Sequence, residues 1–379
     1  MLVFLKTNTI MVKPLYGEQN SDTQEALLTD SHPIALVAGG SGIVGAGVAE
    51  QLVAAGCRVV CASRSGGGAL PGAEPIRVDL MSREDCERAL AQHPGITNVF
   101  YAAYQQAASR SAEVAPNLAM LRNIVEAAQA KCAGLRKVVL VTGAKFYGIQ
   151  WGASRTPCRE SDPRQLGPNF YYDQEDWLRA ASQGQSWTWC NLIPPFVTGY
   201  AVGNPMNLVL GVGLYATVCR ELGLPLRFPG SARAYESLHQ IADARQIGAA
   251  AAWAANNDAA DDRAFNVTNG DPVRWSRTWP AIARHFGMEV VEPKTMPLAD
   301  VMPEQDALWR RIREKAGLRE FPIASIVNWT WMDYMLRMEH DVVLETGKIR
   351  RAGFPDCIET DSVFVRRLTE LQEHKVLPA

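Results

Sequence analysis

The stretch IALVAGGSGIVG, from Ile34 to Gly45, decides the fold of this 379-residue chain. It begins with IALVA, a continuous apolar run that predicts a buried strand. After a glycine-rich turn, the apolar residues Val48, Leu52 and Val53 recur at helical spacing. The stretch therefore predicts a buried strand, a tight turn and a helix in that order.

The turn contains three regularly spaced glycines, Gly39, Gly42 and Gly45. Without side chains they let the backbone turn tightly, so that a pyrophosphate can bind the free N–H groups at the positive end of the helix. The alternative is a glycine-rich turn needed only for packing. Because strand and helix are both where the motif requires them, we predict a dinucleotide site that also includes Ser41 and Ile43.

Strand-like and helix-like segments continue to alternate along the chain. Further strands are predicted at 58–62, 75–78, 98–102, 137–141 and 187–193, and helices at 83–91, 117–131 and 171–182. This alternation predicts an α/β fold with a doubly wound (Rossmann) parallel sheet and a smaller, mostly helical C-terminal substrate domain. The expected boundaries are a flexible tail at 1–31, an NADP-binding Rossmann domain at 32–200, and an interwoven substrate domain at 201–379.

Composition excludes several classes of function. The 38 basic and 40 acidic residues give a net charge of −2 without long blocks of like charge, so neither nucleic acid nor a membrane is an expected partner. The 8 cysteines are scattered, which predicts reduced thiols and no metal site. The N-terminal apolar run is too short for a signal peptide or a membrane span, so we expect a cytoplasmic protein.

The end of the second predicted strand indicates which dinucleotide binds. An NAD-specific site places a carboxylate there to hold the ribose hydroxyls, but this chain has Ser63 and Arg64. Arg64 can hold a 2′-phosphate by a charge-assisted pair, which favours NADPH; the alternative is a solvated surface arginine. Asp79, after the third strand, is expected to reach the adenine amine or to cap the following helix. Its neighbour Leu80 is included in the cofactor site.

Two segments carry the candidate catalytic residues. NFYYDQED, Asn169 to Asp176, places a tyrosine pair at the start of a helix, but the lysine expected four residues after a short-chain reductase tyrosine is missing, since Glu175 follows Tyr171. VTGAKFYG follows the fifth strand, on the side of the sheet where ligands bind, and it contains Thr142 and Lys145. A lysine close to a phenol lowers the pKa of that phenol. Lys145 is therefore the candidate ammonium, unless it is an ordinary loop lysine.

Together, TGAKFYG, NFYYDQED, MNLVLG and AFNVTNGD resemble the progesterone 5β-reductase and iridoid synthase group, an atypical extended branch of the short-chain dehydrogenases/reductases. The resemblance runs from about Ile34 to the C-terminus. It implies that Tyr171 and Lys145 are catalytic and that Tyr172 only packs. It also implies NADPH-dependent reduction of the C=C bond of an activated enone.

The chain departs from the group's pattern at several positions. Phe146 takes the place of a histidine, Tyr104 that of a frequent tryptophan, and the run after the sixth strand lacks an arginine, although Pro194 and Val197 are expected to keep backbone contacts to the cofactor. These changes affect the expected shape and polarity of the substrate pocket. Its candidate residues are Tyr104, Phe146, Trp151, Phe196, Met206 and Asn207. A polar role at a helix N-terminus is equally open for Asn207, and a plain core role is the more common one for aromatic residues such as Trp151 and Phe196.

The predicted chemistry is hydride addition to the β-carbon of an enone, with the carbonyl oxygen held by Tyr171 and supported by Lys145. Carbonyl reduction uses the same residues and is the nearest alternative; a non-catalytic NADPH-binding sensor is another. Epimerase or dehydratase chemistry on a nucleotide sugar is disfavoured, because the usual Tyr-x-x-x-Lys is missing. The expected partners are a small hydrophobic enone or carbonyl substrate and, for assembly, a second copy in a homodimer.

Overall fold

The structure, a computed structural model, describes residues 33–67, 70–201 and 203–379; the tail predicted at 1–31 lies outside these ranges. The strands are β1 (Ile34–Ala38), β2 (Arg58–Ser63), β3 (Ala73–Arg77), β4 (Ile96–Tyr101), β5 (Lys137–Val141), β6 (Thr188–Ile193), β7 (Phe196–Thr198), β8 (Leu226–Arg227), β9 (Leu238–Asp243), β10 (Arg263–Asn266), β11 (Pro272–Arg274) and β12 (Val290–Val291). The helices are α1 (Ile43–Ala54), α2 (Arg83–Leu90), α3 (Arg110–Lys131), α4 (Phe170–Ala181), α5 (Leu208–Glu221), α6 (Ala232–Glu236), α7 (Ala244–Ala255), α8 (Trp275–His285), α9 (Leu298–Val301), α10 (Asp306–Ala316), α11 (Ile323–Ile326), α12 (Trp329–Leu336), α13 (Gly347–Arg351) and α14 (Thr360–Glu373).

Seven parallel strands form the central sheet, in the order β10-β6-β5-β4-β1-β2-β3. The chain enters at β1, moves outward to β3, and then returns to β4 on the other side of β1. This reversal is the switch point at which open α/β sheets bind ligands, and it lies beyond Ala38 and Tyr101. The predicted doubly wound α/β fold is confirmed.

The segments after residue 200 contribute to the same layers. β10 pairs with β6 at the edge of the central sheet, and α7 packs closely against α1. The close helix contact depends on glycine, because a Cβ on Gly47 would lie 2.4 Å from the carbonyl oxygen of Ala244. The boundary at residue 200 stays a prediction.

The C-terminal half has a separate, aromatic-rich core. Phe228 packs edge-on against Trp279, with ring centroids 5.1 Å apart, and Trp309 stacks on Phe321 at 5.5 Å. The helix α5 is buried along most of its length in this core. A three-stranded sheet, β11-β9-β7, joins this core to the end of the central sheet.

One helix start differs from the prediction. α3 begins at Arg110 instead of residue 117, because the Ser109 hydroxyl caps it by accepting a hydrogen bond from the Ala112 backbone N–H at 3.2 Å. Pro116 lies inside α3. The longer helix brings Arg110 and Glu113 towards the carboxyl ends of the strands, which becomes important below.

Two general features bear on the expectations from composition. All eight cysteines lie within the described ranges and are free thiols, as predicted. Across the same ranges, every helix is too short or too polar to cross a membrane.

Candidate active site

The glycine turn fits a pyrophosphate. Gly39 has a φ of +87°, in the left-handed region, and a Cβ there would lie 2.8 Å from the Ala103 backbone nitrogen. A Cβ on Gly45 would lie only 2.1 Å from the Gly39 carbonyl oxygen. Gly42 precedes α1 without any side-chain cap, so the first N–H groups of the helix are left for a ligand.

A cavity of about 1220 Å³ opens beside this turn and continues past the ends of β2 and β4. Its volume exceeds the roughly 300–1,000 Å³ of an ordinary small-ligand pocket, which suits an extended dinucleotide. The predicted cofactor residues that line it are Gly39, Ser41, Gly42, Ile43, Ser63, Arg64, Asp79 and Leu80. Gly45, Thr142, Pro194 and Val197 lie outside its lining.

The end of β2 has the features expected for a 2′-phosphate. Arg64 is exposed and makes no ion pair with any of the residues that the structure describes. Ser63 is nearly buried, and its hydroxyl lies 3.5 Å from that of Ser65. Asp79 does not cap α2, since Ser82 does so by accepting from the Asp85 N–H at 3.1 Å.

Beneath the site, buried polar side chains connect β5, β6 and α4. The Thr142 hydroxyl donates to Asn191 Oδ1 at 2.9 Å, and Asn191 Nδ2 donates to Glu175 Oε2 at 2.7 Å. Glu175 also accepts from Arg179 at 3.2 Å. The position four residues after Tyr171, where an ordinary short-chain reductase has its lysine, is therefore occupied by a carboxylate that holds two strands.

The two tyrosines of NFYYDQED have different surroundings. The Tyr172 hydroxyl donates to the Phe146 carbonyl oxygen at 2.6 Å and accepts from the Gln165 N–H at 3.1 Å. The Tyr171 hydroxyl lies over the loop after β5, 3.2 Å from where a Cβ on Gly143 would be. It has no hydrogen-bond partner among the described residues. Tyr171 is thus the free phenol of the pair.

Lys145 lies two residues after Gly143, so the Tyr171 phenol lies over the same loop that carries Lys145. The loop after β5 and the start of α4 meet here and form one junction. Asn169 holds this junction: its Oδ1 accepts from the Tyr171 N–H at 3.2 Å and its Nδ2 donates to the Lys145 carbonyl oxygen at 2.9 Å. The Lys145 ammonium makes no hydrogen bond or ion pair within the described ranges. The structure therefore brings the two predicted catalytic segments together without a direct bond between their side chains.

The electrostatics differ from the expectation that Lys145 lowers the pKa of Tyr171. Burial raises the pKa of the Tyr171 phenol, and the nearby Glu113 carboxylate raises it further. Burial lowers the pKa of Lys145; Glu113 opposes this shift and Arg110 adds to it. The phenol is thus held in its neutral, proton-donating form.

The predicted substrate residues fall into two groups. Tyr104 and Met206 line the large cavity, and Trp151 is exposed beside the loop that carries Lys145. Phe146 and Phe196 are buried in the C-terminal core, which for Phe196 is the alternative given above. Asn207 is a correction: it is fully buried and caps α5, accepting from the Leu210 N–H at 3.1 Å and donating to the Ala201 carbonyl at 3.2 Å, so it does not line the pocket.

Sequence reasoning missed Glu113 and Arg110. The Tyr104 hydroxyl donates to Glu113 Oε1 at 2.5 Å, and the Tyr104 ring stacks on Phe170 with centroids 5.6 Å apart. The Arg110 guanidinium lies 3.8 Å above the centroid of Trp151. Because the predicted helix starts at residue 117, both residues were assigned to a loop. Ser109, a typical N-cap residue, was the sequence signal for the true start.

Comparison with known proteins assigns the family. The family model described as a PRISE-like Rossmann-fold domain matches residues 79–378. The chain belongs to the PRISE family. The resemblance inferred from the motifs is confirmed, and the chain is an oxidoreductase of the short-chain dehydrogenase/reductase superfamily.

Two relatives and one structure illustrate what this PRISE chain is similar to. An (S)-8-oxocitronellyl enol synthase from Nepeta racemosa is 31% identical, with 80% of each chain covered. A 3-oxo-Δ4,5-steroid 5β-reductase from Arabidopsis thaliana is 29% identical, again with 80% of each chain covered. UDP-glucose 4-epimerase from Thermus thermophilus in complex with NAD superposes with a TM-score of 0.61 at 19% identity, covering 89% of this chain and 99% of that one; this likeness concerns the fold.

Proposed function

We propose that the protein is an NADPH-dependent reductase of the activated C=C bond of 1,4-enones. The observation that supports this most is the placement of Tyr171, a free phenol at the switch-point end of the sheet, against the loop that carries Lys145. Named relatives include a steroid 5β-reductase and an enol synthase, which fits such a substrate class.

NADPH, when bound, supplies the hydride. The chain's task is to stabilise the negative charge that then develops on the carbonyl oxygen of the enone. The Tyr171 hydroxyl donates a hydrogen bond to that oxygen, and its raised pKa keeps the proton on the phenol until the charge appears. Lys145 contributes a positive group beside the same junction, and Asn169 fixes the backbone of both segments.

The choice of NADPH over NADH rests on Arg64. Its guanidinium is exposed at the cavity wall and has no acidic partner among the described residues, while positions 62–65 contain no carboxylate. The 2′-phosphate of NADPH accepts charge-assisted hydrogen bonds from this guanidinium, and the Ser63 and Ser65 hydroxyls are further donors. Asp79 is the residue proposed to meet the adenine amine.

The proposed function is tested by Tyr171→Phe, with Tyr172→Phe as the matched control. Loss of one oxyanion donor reduces turnover about 100- to 1000-fold, so Tyr171→Phe loses that much activity with a small cyclic enone. Tyr172→Phe removes a hydroxyl that bonds only to Phe146 and Gln165. It therefore loses stability and keeps most of its turnover.

Two measurements accompany this comparison. Fluorescence titration shows whether both variants still bind NADPH, and product analysis separates a saturated ketone from an allylic alcohol. A Tyr171→Phe variant with near wild-type turnover would refute the role of the phenol. An allylic alcohol would make the enzyme a carbonyl reductase, and NADPH binding without turnover of any enone or aldehyde would make it a sensor.

A further inference from the structure

A second cavity, of about 430 Å³, lies next to the loop that carries Lys145. Ile149, Gln150 and Gly152 form one wall, and these residues flank Trp151 in the chain. The opposite wall comes from α12 and the residues after it, Asp333, Tyr334, Arg337, Met338, Glu339 and His340. The cavity therefore borders the segment that follows Lys145 in the chain.

Arg110 lies outside the lining residues of this cavity, beside Trp151 and close enough to Tyr334 for its charge to act there. Its guanidinium stacks on Trp151 at 3.8 Å, and its charge acts on both Lys145 and Tyr334, lowering the pKa of the first and opposing the raised pKa of the second. Arg110 Nη1 is buried and has no hydrogen-bond partner among the described residues. Glu113, the acidic residue closest in the chain, bonds to Tyr104 instead.

Two further side chains around the cavity have buried polar atoms without partners in the described ranges. They are Arg337, through Nε and Nη2, and Gln150, through its amide oxygen. Asp333 lies 3.3 Å from Arg337 Nη2, but its two carboxylate oxygens accept from the Leu298 and Ala299 N–H groups at 2.9 and 3.1 Å. Asp333 thus divides its charge between the start of α9 and Arg337, while Arg337 Nε and Arg110 Nη1 keep no hydrogen-bond partner in the described ranges.

The other charged groups facing the cavity do not satisfy these donors. Glu339 accepts from the Ser231 hydroxyl at 2.6 Å, and His340 Nε2 lies 3.2 Å from the Ile149 carbonyl oxygen. An unsatisfied buried donor costs about 1–3 kcal/mol, and more when it is charged. Arg110 and Arg337 both have such donors beside one pocket, which favours a ligand with anionic oxygen atoms; the Gln150 amide oxygen is an acceptor and adds nothing to this preference.

We propose that this pocket binds a carboxylate carried by the substrate, with Arg110 as the residue that selects it. This assignment rests on the proposed function, because it places the carboxylate on an enone whose reactive end lies at Tyr171 and Lys145. Trp151 and Tyr334 contact the hydrocarbon chain between the two ends. The substrate class is then an oxo acid with an α,β-unsaturated ketone, which reduction converts into a saturated oxo acid.

The experiment separates binding from turnover by using ligands that cannot be reduced. Saturated cyclohexanones with acetate, propanoate and butanoate side chains are compared with their primary amides by isothermal titration calorimetry on the full chain. At least one acid binds the wild-type protein more tightly than its amide. Loss of a charge-assisted hydrogen bond worth about 1.5–3 kcal/mol corresponds to a factor of about 10 to 100, so Arg110→Gln lowers the ratio of acid to amide affinity by that factor.

Two more variants control for charge and for folding. Arg122→Gln removes the same charge from the same helix, where Arg122 is half-exposed and bonds to Glu126 at 3.4 Å, and it leaves the ratio unchanged. Arg110→Lys keeps the charge but loses the planar fork, so its ratio lies between those of the wild type and Arg110→Gln.

The proposal fails if every acid binds like its amide, or if Arg110→Gln leaves the ratio at its wild-type value. A fall of equal size in Arg122→Gln overturns it as well, since a general field effect then accounts for the preference. If the acids bind through Arg110 but no enone oxidises NADPH, the pocket assignment stands and the proposed reductase function fails. If the protein reduces neutral enones but shows no preference for acids, the reductase function stands and the pocket assignment fails.

Discussion

Placing a lysine four residues after Tyr171, as in an ordinary short-chain reductase, should not restore activity, because position 175 holds the buried carboxylate of Glu175. In the double variant Lys145→Met/Glu175→Lys, the ordinary Tyr-x-x-x-Lys spacing is restored. Glu175 is only 5% exposed and accepts hydrogen bonds from Asn191 at 2.7 Å and Arg179 at 3.2 Å, with Arg164 at 3.7 Å. An ammonium at this position therefore meets one amide donor and two guanidinium groups.

The expected cost in the free energy of unfolding follows from these contacts. Removing one partner of a buried pair costs about 3–5 kcal/mol, and the lower end applies here because the Arg164 and Arg179 side chains are 37% and 57% exposed and can turn towards solvent. We therefore expect Glu175→Lys to lose about 3 kcal/mol. Glu175→Gln keeps an acceptor for Asn191 and should lose about half as much.

Urea denaturation of the single and double variants measures this cost, and NADPH oxidation with a cyclic enone measures any rescue. We expect Lys145→Met to lose activity and the added lysine at position 175 to restore none of it. A Glu175→Lys variant as stable as the wild type, or a double variant that regains turnover, would show that the buried carboxylate is not what excludes the lysine.

Two other predictions concern the cofactor and acid stability. Arg64→Gln should weaken NADPH binding about 10- to 100-fold relative to NADH, the effect of losing a charge-assisted pair; equal losses for both cofactors in fluorescence titrations would contradict the 2′-phosphate contact. Burial lowers the pKa of His239 to about 4, whereas the unfolded chain titrates near 6.5. Because the unfolded state then binds more protons, stability falls as the pH drops below about 6.5, by about 2 kcal/mol at pH 5. His239→Gln should reduce this loss in urea denaturation at pH 7 and pH 5; an unchanged loss would assign it to other groups.

The sequence predicted those parts of the fold and site that depend on local pattern. β1 and β5 have the predicted bounds, and the glycine turn lies between a strand and a helix as its motif requires. Helical geometry indicated that Tyr171 and Tyr172 point in different directions, and the family resemblance then selected Tyr171. Each of these inferences uses residues that are neighbours in the chain.

Contacts between distant segments could not be predicted in the same way. The bond from Asn191 to Glu175 crosses from β6 to α4, and that from Asn169 to Lys145 crosses from α4 to the loop after β5. Asn207 shows the same difficulty, since its family role in the pocket and its capping role fit one sequence equally well. Only the fold shows that both of its polar atoms are already bonded.

The position of Lys145 on the loop after β5 and the presence of a buried carboxylate at Glu175 are related. A lysine on α4 would approach the phenol from beneath the site, where Glu175 now connects α4 to Asn191 and, through it, to Thr142 at the end of β5. Lys145 comes from the opposite side, on the loop whose backbone Asn169 ties to the start of α4. Position 175 is thereby free to stiffen the strand ends, while the Lys145 ammonium lies close enough to Arg110 for their charges to interact. In the proposed reaction, this arrangement supplies positive charge from the loop that lies against the Tyr171 phenol, where the enolate forms.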